Sequence, residues 1–169
     1  MNDNDEVKRT YTLVWRFRAL MEEAASPWVT PEPLDALRFA ATEVAEAMDA
    51  WLRARGGFAR NSDRHEQVLS ELADCAIMLA TSIPDYSFSG GEAYGQHTLD
   101  GLIYLVACVL QTAALGGPFQ FRAAAAMCAI AAYDGMALER EVRDRLVRIM
   151  LRHTNEDDRA DLAWLLAEG

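Results

Sequence analysis

Two pairs of acidic residues, each spaced three apart, constrain the fold of this chain more than any other feature. The first pair is Glu43 and Glu46, and the second is Glu71 and Asp74. Residues at i and i+3 share one face of a helix, so each pair predicts two neighbouring carboxylates on a helix. Two adjacent glycines between the pairs are typical of a helix end where the chain reverses. The sequence therefore predicts two antiparallel helices that bring four acids together.

Apolar residues flank both acid pairs at helical spacing. The first stripe consists of Leu34, Leu37, Ala41, Val44, Met48 and Trp51, and the second of Leu69, Leu72, Ala76, Leu79 and Ile83. Steps of three and four are typical of helices packed in a bundle. At about 100° per residue, the acids lie on the sides away from these stripes. The side of the first pair also carries Phe39, Thr42 and Ala50, so we expect that side to be covered too.

The remaining apolar spacing predicts an all-α helical bundle of six or seven helices, forming a single domain over residues 1–169. A chain of 169 residues with 51% apolar composition can bury one core. The expected helices run from Asn4 or Asp5 to about Pro27, from an N-cap at Thr30 to about Arg55, from about Ser62 to Ile83, from Leu99 to a break at Gly116, from Phe119 to Tyr133, from Leu138 to Leu151, and over a short segment after Thr154. Glu141 with Arg145, and Asp144 with Arg148, are expected to form i,i+4 pairs on an exposed face.

The charge composition limits the partners of this chain. The net charge is −10 and Lys8 is the only lysine, so the clustered cations that bind a nucleic-acid polymer are missing. We expect no nucleic-acid polymer as a partner, and we expect any phosphate to be bound through a metal ion. Direct phosphate contact would come from a guanidinium group. Arg53, on nearly the same helix face as Glu46, is the candidate, and a solvated arginine at a helix end is the alternative.

Location is predicted from two segments. The first ten residues are polar and acidic, unlike a secretory signal. The longest apolar run, 101–110, is shorter than the ~20 residues that cross a bilayer. We therefore expect a cytoplasmic protein with no membrane partner.

Four carboxylates in one place would repel each other, so they must face solvent, become protonated or bind cations. Exposure is the simplest alternative, but two pairs on consecutive helices favour a metal site. Oxygen ligands alone select a hard cation, Mg²⁺ or Mn²⁺. A di-iron bundle would show Glu-x-x-His pairs, and none of His65, His97 and His153 follows a glutamate by three residues.

The two acid pairs, separated by twenty-four residues, resemble the signature of the MazG-like all-α nucleoside triphosphate pyrophosphohydrolases. This superfamily also includes dimeric dUTPases and phosphoribosyl-ATP pyrophosphohydrolase. The segment 28–34, WVTPEPL, is similar to the Trp and Thr-x-Glu-x-Leu lead-in of MazG proteins. Glu71-Leu72-Ala73-Asp74 with the apolar run after it resembles their second metal-binding helix. The resemblance covers a core from about Trp28 to Ile83.

The resemblance implies Mg²⁺-dependent hydrolysis of a nucleoside triphosphate to a nucleoside monophosphate and pyrophosphate, by a homodimer or homotetramer. The implied metal ligands are Glu43, Glu46, Glu71 and Asp74, and the first two are the implied catalytic residues. Many members have a further glutamate directly before the first pair, where this chain has Thr42. Activation of the attacking water would then fall to the metal ion or to one of the four acids.

Two aromatic residues, Trp28 and Phe39, are candidates to bind the substrate by stacking on the base, with packing in the core as the alternative. Two other functions remain open for the whole chain. One is a non-catalytic helical interaction module that binds a metal or a nucleotide. The other is a phosphoribosyl-ATP pyrophosphohydrolase of the same superfamily.

Overall fold

A computed structural model describes residues 3–23, 29–55, 61–84 and 98–153. Over these residues the chain forms six α-helices: α1 Asp3–Glu23, α2 Pro33–Arg55, α3 Asn61–Thr81, α4 Leu99–Ala114, α5 Gln120–Ala131 and α6 Leu138–His153. The predicted all-α bundle is confirmed. The expected helix after Thr154 lies outside the described residues, as does most of the segment between α3 and α4. Within the described ranges, no helix is both long and apolar enough to cross a membrane.

Helix α3 lies at the centre of the bundle. It pairs with α2 and also packs against α1, α5 and α6, while α4 packs against α2 and α5. The stripe predicted for α3 is confirmed, because all five of its residues are buried: Leu69, Leu72, Ala76, Leu79 and Ile83. A helix with neighbours on several sides must also bury polar positions, and Asp74 is one of them.

The buried face of α2 differs from the predicted stripe. Its fully buried residues are mainly alanines, namely Ala36, Leu37, Ala40, Val44, Ala47 and Ala50. Met48 and Trp51 are only partly buried against the core. The prediction followed the large apolar side chains, whereas the small alanines allow close approach of neighbouring helices. The buried face of α2 is therefore rotated away from the predicted stripe and towards Glu43, which lies at its edge.

The side of α2 that carries the first acid pair is only partly covered. Ala50 is buried and Glu43 is half-buried, as expected for a covered face. Phe39, Thr42 and Glu46 are exposed, so the expectation that they are covered is wrong for this chain. The covered part ends between Glu43 and Glu46, which places the two acids of the pair at the edge of the core.

Helix α1 covers the carboxyl end of α3. The Tyr11 hydroxyl donates to the carbonyl of Ile83 at 2.8 Å, and Trp15 Nε1 donates to the carbonyl of Ala80 at 2.9 Å. The last carbonyls of a helix lack partners within the helix, so these side chains satisfy groups that burial would otherwise penalise. Arg18, buried in the same interface, donates from Nε to Thr81 Oγ1 at 2.6 Å.

The start of α2 also differs from the prediction. Pro33 occupies the first helical position, where a missing N–H costs nothing. Thr30, the expected N-cap, lies three residues earlier, and its hydroxyl donates to Glu22 Oε1 at 2.8 Å instead. Thr30 therefore connects the lead-in segment to α1.

Two contacts, one in the turn before α6 and one in its first turn, fix the position of the start of α6. Gly135, in the turn before α6, has a φ of 78° and approaches His65 of α3 so closely that an added Cβ would lie 2.7 Å from His65 Nε2. Arg9 of α1 forms an ion pair with Glu139 of α6, with Nε and Oε2 2.8 Å apart. These contacts direct α6 along the outside of α3, next to the second acid pair.

Candidate metal centre

Three carboxylates from two helices converge at the edge of the core. Glu43 and Glu46 of α2 and Glu71 of α3 each offer one oxygen, and the three oxygens lie within 4.8 Å of one another. We call these three residues the carboxylate cluster. The i,i+3 spacing places the two α2 acids on one face, and the close α2–α3 packing brings Glu71 to them. The structure thus brings together three of the four acids predicted as metal ligands.

Burial and mutual repulsion make the carboxylate cluster costly to ionise. Burial, together with the charges of Asp74, Glu46 and Glu71, raises the pKa of Glu43 to about 7. The pKa of Glu71 is also raised, first by burial and then by Asp74 and Glu46. An added cation would relieve this repulsion. The electrostatics of the cluster therefore favour a positively charged ligand.

The distances in the carboxylate cluster are close to those of a metal site. Mg²⁺ binds oxygen at ~2.1 Å, so two oxygens on one ion lie about 3 to 4 Å apart. The observed limit of 4.8 Å is slightly longer. Small rotations of these glutamate side chains would close the difference. The donor set is oxygen only, which suits Mg²⁺ or Mn²⁺ and not a softer ion.

Asp74, the fourth predicted ligand, is bound by an arginine. Arg145 of α6 donates from Nε to Asp74 Oδ1 at 2.6 Å, and its Nη2 lies 2.5 Å from Oδ2. Burial raises the pKa of Asp74, and the bond to Arg145 offsets part of that increase. Asp74 therefore adds charge beside the carboxylate cluster, and its own oxygens face a cation from α6.

Arg145 is the functional candidate that the sequence did not reveal. The predicted partner of Arg145, Glu141, forms an ion pair with Arg140 instead, with Nη2 and Oε1 2.8 Å apart. The i,i+4 rule finds partners within one helix, whereas Asp74 lies seventy-one positions before Arg145. The run of alternating charges in α6 was the only signal, and it is equally typical of a solvated face.

Of the three residues predicted to bind substrate, Arg53 and Phe39 are exposed, and the third is not described. Arg53 is exposed and forms an ion pair with Asp49 of its own helix, with Nη2 and Oδ2 2.5 Å apart. Phe39 lies one turn before Glu43 and is 52% exposed, so it does not pack in the core and its ring is open to solvent. Trp28 lies outside the described residues.

Thr42, directly before the first acid pair, offers no carboxylate base. Its hydroxyl donates to the backbone carbonyl of Arg38 at 3.2 Å, within the same helix. A hydroxyl used in this way points along its own helix. Among the described residues of the carboxylate cluster, the acids are the candidate proton acceptors.

A groove of about 500 Å³ runs between α3 and α6, next to the carboxylate cluster. Glu71 belongs to both the groove and the cluster. The other lining residues are mostly charged: Glu66, Gln67, Leu69, Ser70, Arg140, Glu141, Asp144 and Arg148. A molecule bound at the carboxylate cluster could therefore extend into this groove along α6.

Comparison of the chain with protein-family models, with curated proteins and with solved structures finds no match.

Proposed function

We propose that this chain is a Mg²⁺-dependent nucleoside triphosphate pyrophosphohydrolase that binds its metal with Glu43, Glu46 and Glu71. The observation that supports the proposal is the convergence of three carboxylate oxygens from α2 and α3 within 4.8 Å. The resemblance of the two acid pairs to the MazG-like signature supplies the reaction. Mn²⁺ is the alternative ion, and a homodimer or homotetramer in the cytoplasm is the proposed setting.

The exposures of the three acids suggest different roles for them. Glu43 and Glu71 are half-buried, so their side chains are restrained and suit fixed ligands. Glu46 is exposed and can exchange protons with solvent, so we assign its carboxylate to accept a proton from the attacking water. A Mg²⁺ ion held there would supply positive charge beside the phosphates and make water more acidic.

In the proposed reaction, water adds to the α-phosphorus and the bond from that phosphorus to the bridging oxygen breaks. The products are a nucleoside monophosphate and pyrophosphate. The proton taken up by Glu46 passes to solvent, because this side chain is exposed. Such transfers depend mainly on positioning and charge stabilisation, which a carboxylate-rich helical site with an arginine beside it can provide.

The test is pyrophosphate release from a panel of canonical and modified nucleoside triphosphates with Mg²⁺. Glu43→Gln and Glu71→Gln keep the shape of the side chain and remove a ligand charge, so both should abolish turnover. Glu23→Gln, at an exposed position in α1, is the matched control and should keep wild-type activity. Full activity in both cluster variants would overturn the assignment.

A second candidate is a non-catalytic helical module that binds a metal. The observation that favours it is the ion pair between Asp74 and Arg145, which already neutralises one of the four acids. In that case metal would bind and no substrate in the panel would release pyrophosphate.

A further inference from the structure

The negative charge of this site exceeds the positive charge that one divalent ion would bring to a bound triphosphate. The carboxylate cluster and Asp74 together carry up to four negative charges, and one divalent ion offsets only two of them. A phosphate chain brought to this ion adds more negative charge. Further positive charge is therefore required, and it must lie close to the cluster because exposed distant charges are screened.

Arg145 supplies a cation at this position. Its guanidinium acts electrostatically on Glu43 and Glu71 as well as bonding directly to Asp74. It comes from α6, whose residues Asp144 and Arg148, on either side of Arg145 in sequence, line the groove together with Glu71, whereas Arg145 itself lies beside Asp74. Arg53, in contrast, lies in an exposed pair with Asp49 on α2.

The ion pair with Asp74 leaves part of the guanidinium available. A guanidinium has five N–H donors. The contacts with Asp74 involve Nε and Nη2, so with respect to the described residues Nη1 and one N–H of Nη2 can still bind another acceptor. The Arg145 side chain is 30% exposed, whereas that of Asp74 is 10% exposed. The carboxylate is thus the buried anchor, and the arginine is the part that a ligand can reach.

We propose that Arg145, held in place by Asp74, binds the phosphate chain of the metal-bound substrate. This inference rests on the proposed function. Asp74 is then a positioning residue, which fixes the planar guanidinium so that little further side-chain freedom is lost when phosphate binds. The planar fork of an arginine matches the oxygens of a phosphate better than a lysine would.

The experiment measures two affinities by calorimetry on the full chain: Mn²⁺ alone, and inorganic triphosphate at a fixed excess of Mg²⁺. Arg145→Gln should weaken triphosphate binding about tenfold or more, the usual effect of losing a charge-assisted bond. It should leave Mn²⁺ binding equal or tighter, because a competing positive charge is removed. Arg152→Gln removes the same charge from the exposed last turn of α6 and should change neither affinity.

Two further variants separate the role of Arg145 from an effect on folding. Asp74→Asn with Arg145→Gln removes both charges, so no buried carboxylate is left unpaired, and it should also lose triphosphate affinity. Arg145→Lys keeps the charge without the fork and should give an intermediate affinity.

The outcomes distinguish this inference from the proposed function. Wild-type protein that binds neither Mn²⁺ nor triphosphate would overturn both. Wild-type binding of both ligands, with the same triphosphate affinity in Arg145→Gln as in Arg152→Gln, would overturn the role of Arg145 alone. Loss of triphosphate affinity in Arg145→Gln and the double variant, with Mn²⁺ binding retained, would support it.

Discussion

Glu43 of α2 and Glu71 of α3 place carboxylate oxygens within 4.8 Å of each other, although both side chains are half-buried. Two ionised carboxylates at this separation repel each other, and partial burial strengthens the repulsion. The two residues lie on α2 and α3, the pair of helices with the most extensive contact in the described part of the bundle. Because protonation or a bound cation relieves this repulsion, the free energy of unfolding should depend on pH and on added cations.

The first prediction concerns pH in the absence of metal. Burial and the neighbouring acids raise the pKa of Glu43 to about 7, above its ordinary value of 4.5, and the pKa of Glu71 is raised in the same direction. Between these values the folded state binds more protons than the unfolded state, so the free energy of unfolding falls as pH rises. With a chelator present, Tm should decrease from about pH 5 to about pH 7. Glu43→Gln should flatten this decrease.

The second prediction concerns the response to metal. A ligand that binds only the folded state stabilises it by about 2.7 kcal/mol at one hundred times its Kd. Saturating Mg²⁺ or Mn²⁺ should therefore raise the Tm of the wild type, and Glu43→Gln should lose this increase. Without metal, Glu43→Gln should be as stable as the wild type or more stable at pH 8, because it removes a repelled charge. Glu23→Gln should respond as the wild type does.

The parts of this site that the sequence predicts correctly are the ones set by local helical spacing. The acid pairs, their two helices and the reversal between them are local features, with spacing that a helix imposes. The core stripe of α3 was predicted for the same reason. The buried face of α2 was predicted wrongly because alanines carry little hydrophobic signal, although they allow the closest packing. The coverage of Glu43 was expected from its small and aromatic neighbours, but the residues that form the buried face beside it were not.

The partner of Asp74 could not be predicted from spacing. Arg145 reaches Asp74 only because the turn at Gly135 and the ion pair between Arg9 and Glu139 direct α6 along α3. Those are contacts between distant parts of the chain. Arg53 was preferred because it shares a helix with Glu46, and local reasoning favours neighbours in sequence.

The third prediction concerns the stability of the Asp74–Arg145 pair. Removing one partner leaves a buried charge uncompensated, so Arg145→Gln should cost about 2 kcal/mol, less than a fully buried pair because the arginine is partly exposed. Asp74→Asn with Arg145→Gln should recover most of that loss. The exposed pair of Asp49 and Arg53 is the control, and Asp49→Asn should cost less than about 1 kcal/mol. Urea denaturation measures all three, and equal costs for the two pairs would contradict the burial argument.

The fourth prediction concerns the turn that positions α6. Gly135 has a φ of 78°, and Gly116 has a φ of 71° with nothing within 4 Å of an added Cβ. Gly116→Ala should therefore cost about 1 kcal/mol from backbone strain alone. Gly135→Ala should cost at least as much, because it must also displace His65. Gly101→Ala, within α4, meets only ordinary contact at 3.6 Å and should be stabilising in the same assay.

The central claim is that the carboxylate cluster binds a divalent ion, and Mn²⁺ binding measured by electron paramagnetic resonance tests it most directly. Free Mn²⁺ gives a signal that is lost on binding, so titration of the wild type should show a saturable site. Glu43→Gln and Glu71→Gln should lose that site, and Glu23→Gln should keep it. Equal Mn²⁺ binding by all four proteins, or none by the wild type, would contradict the account.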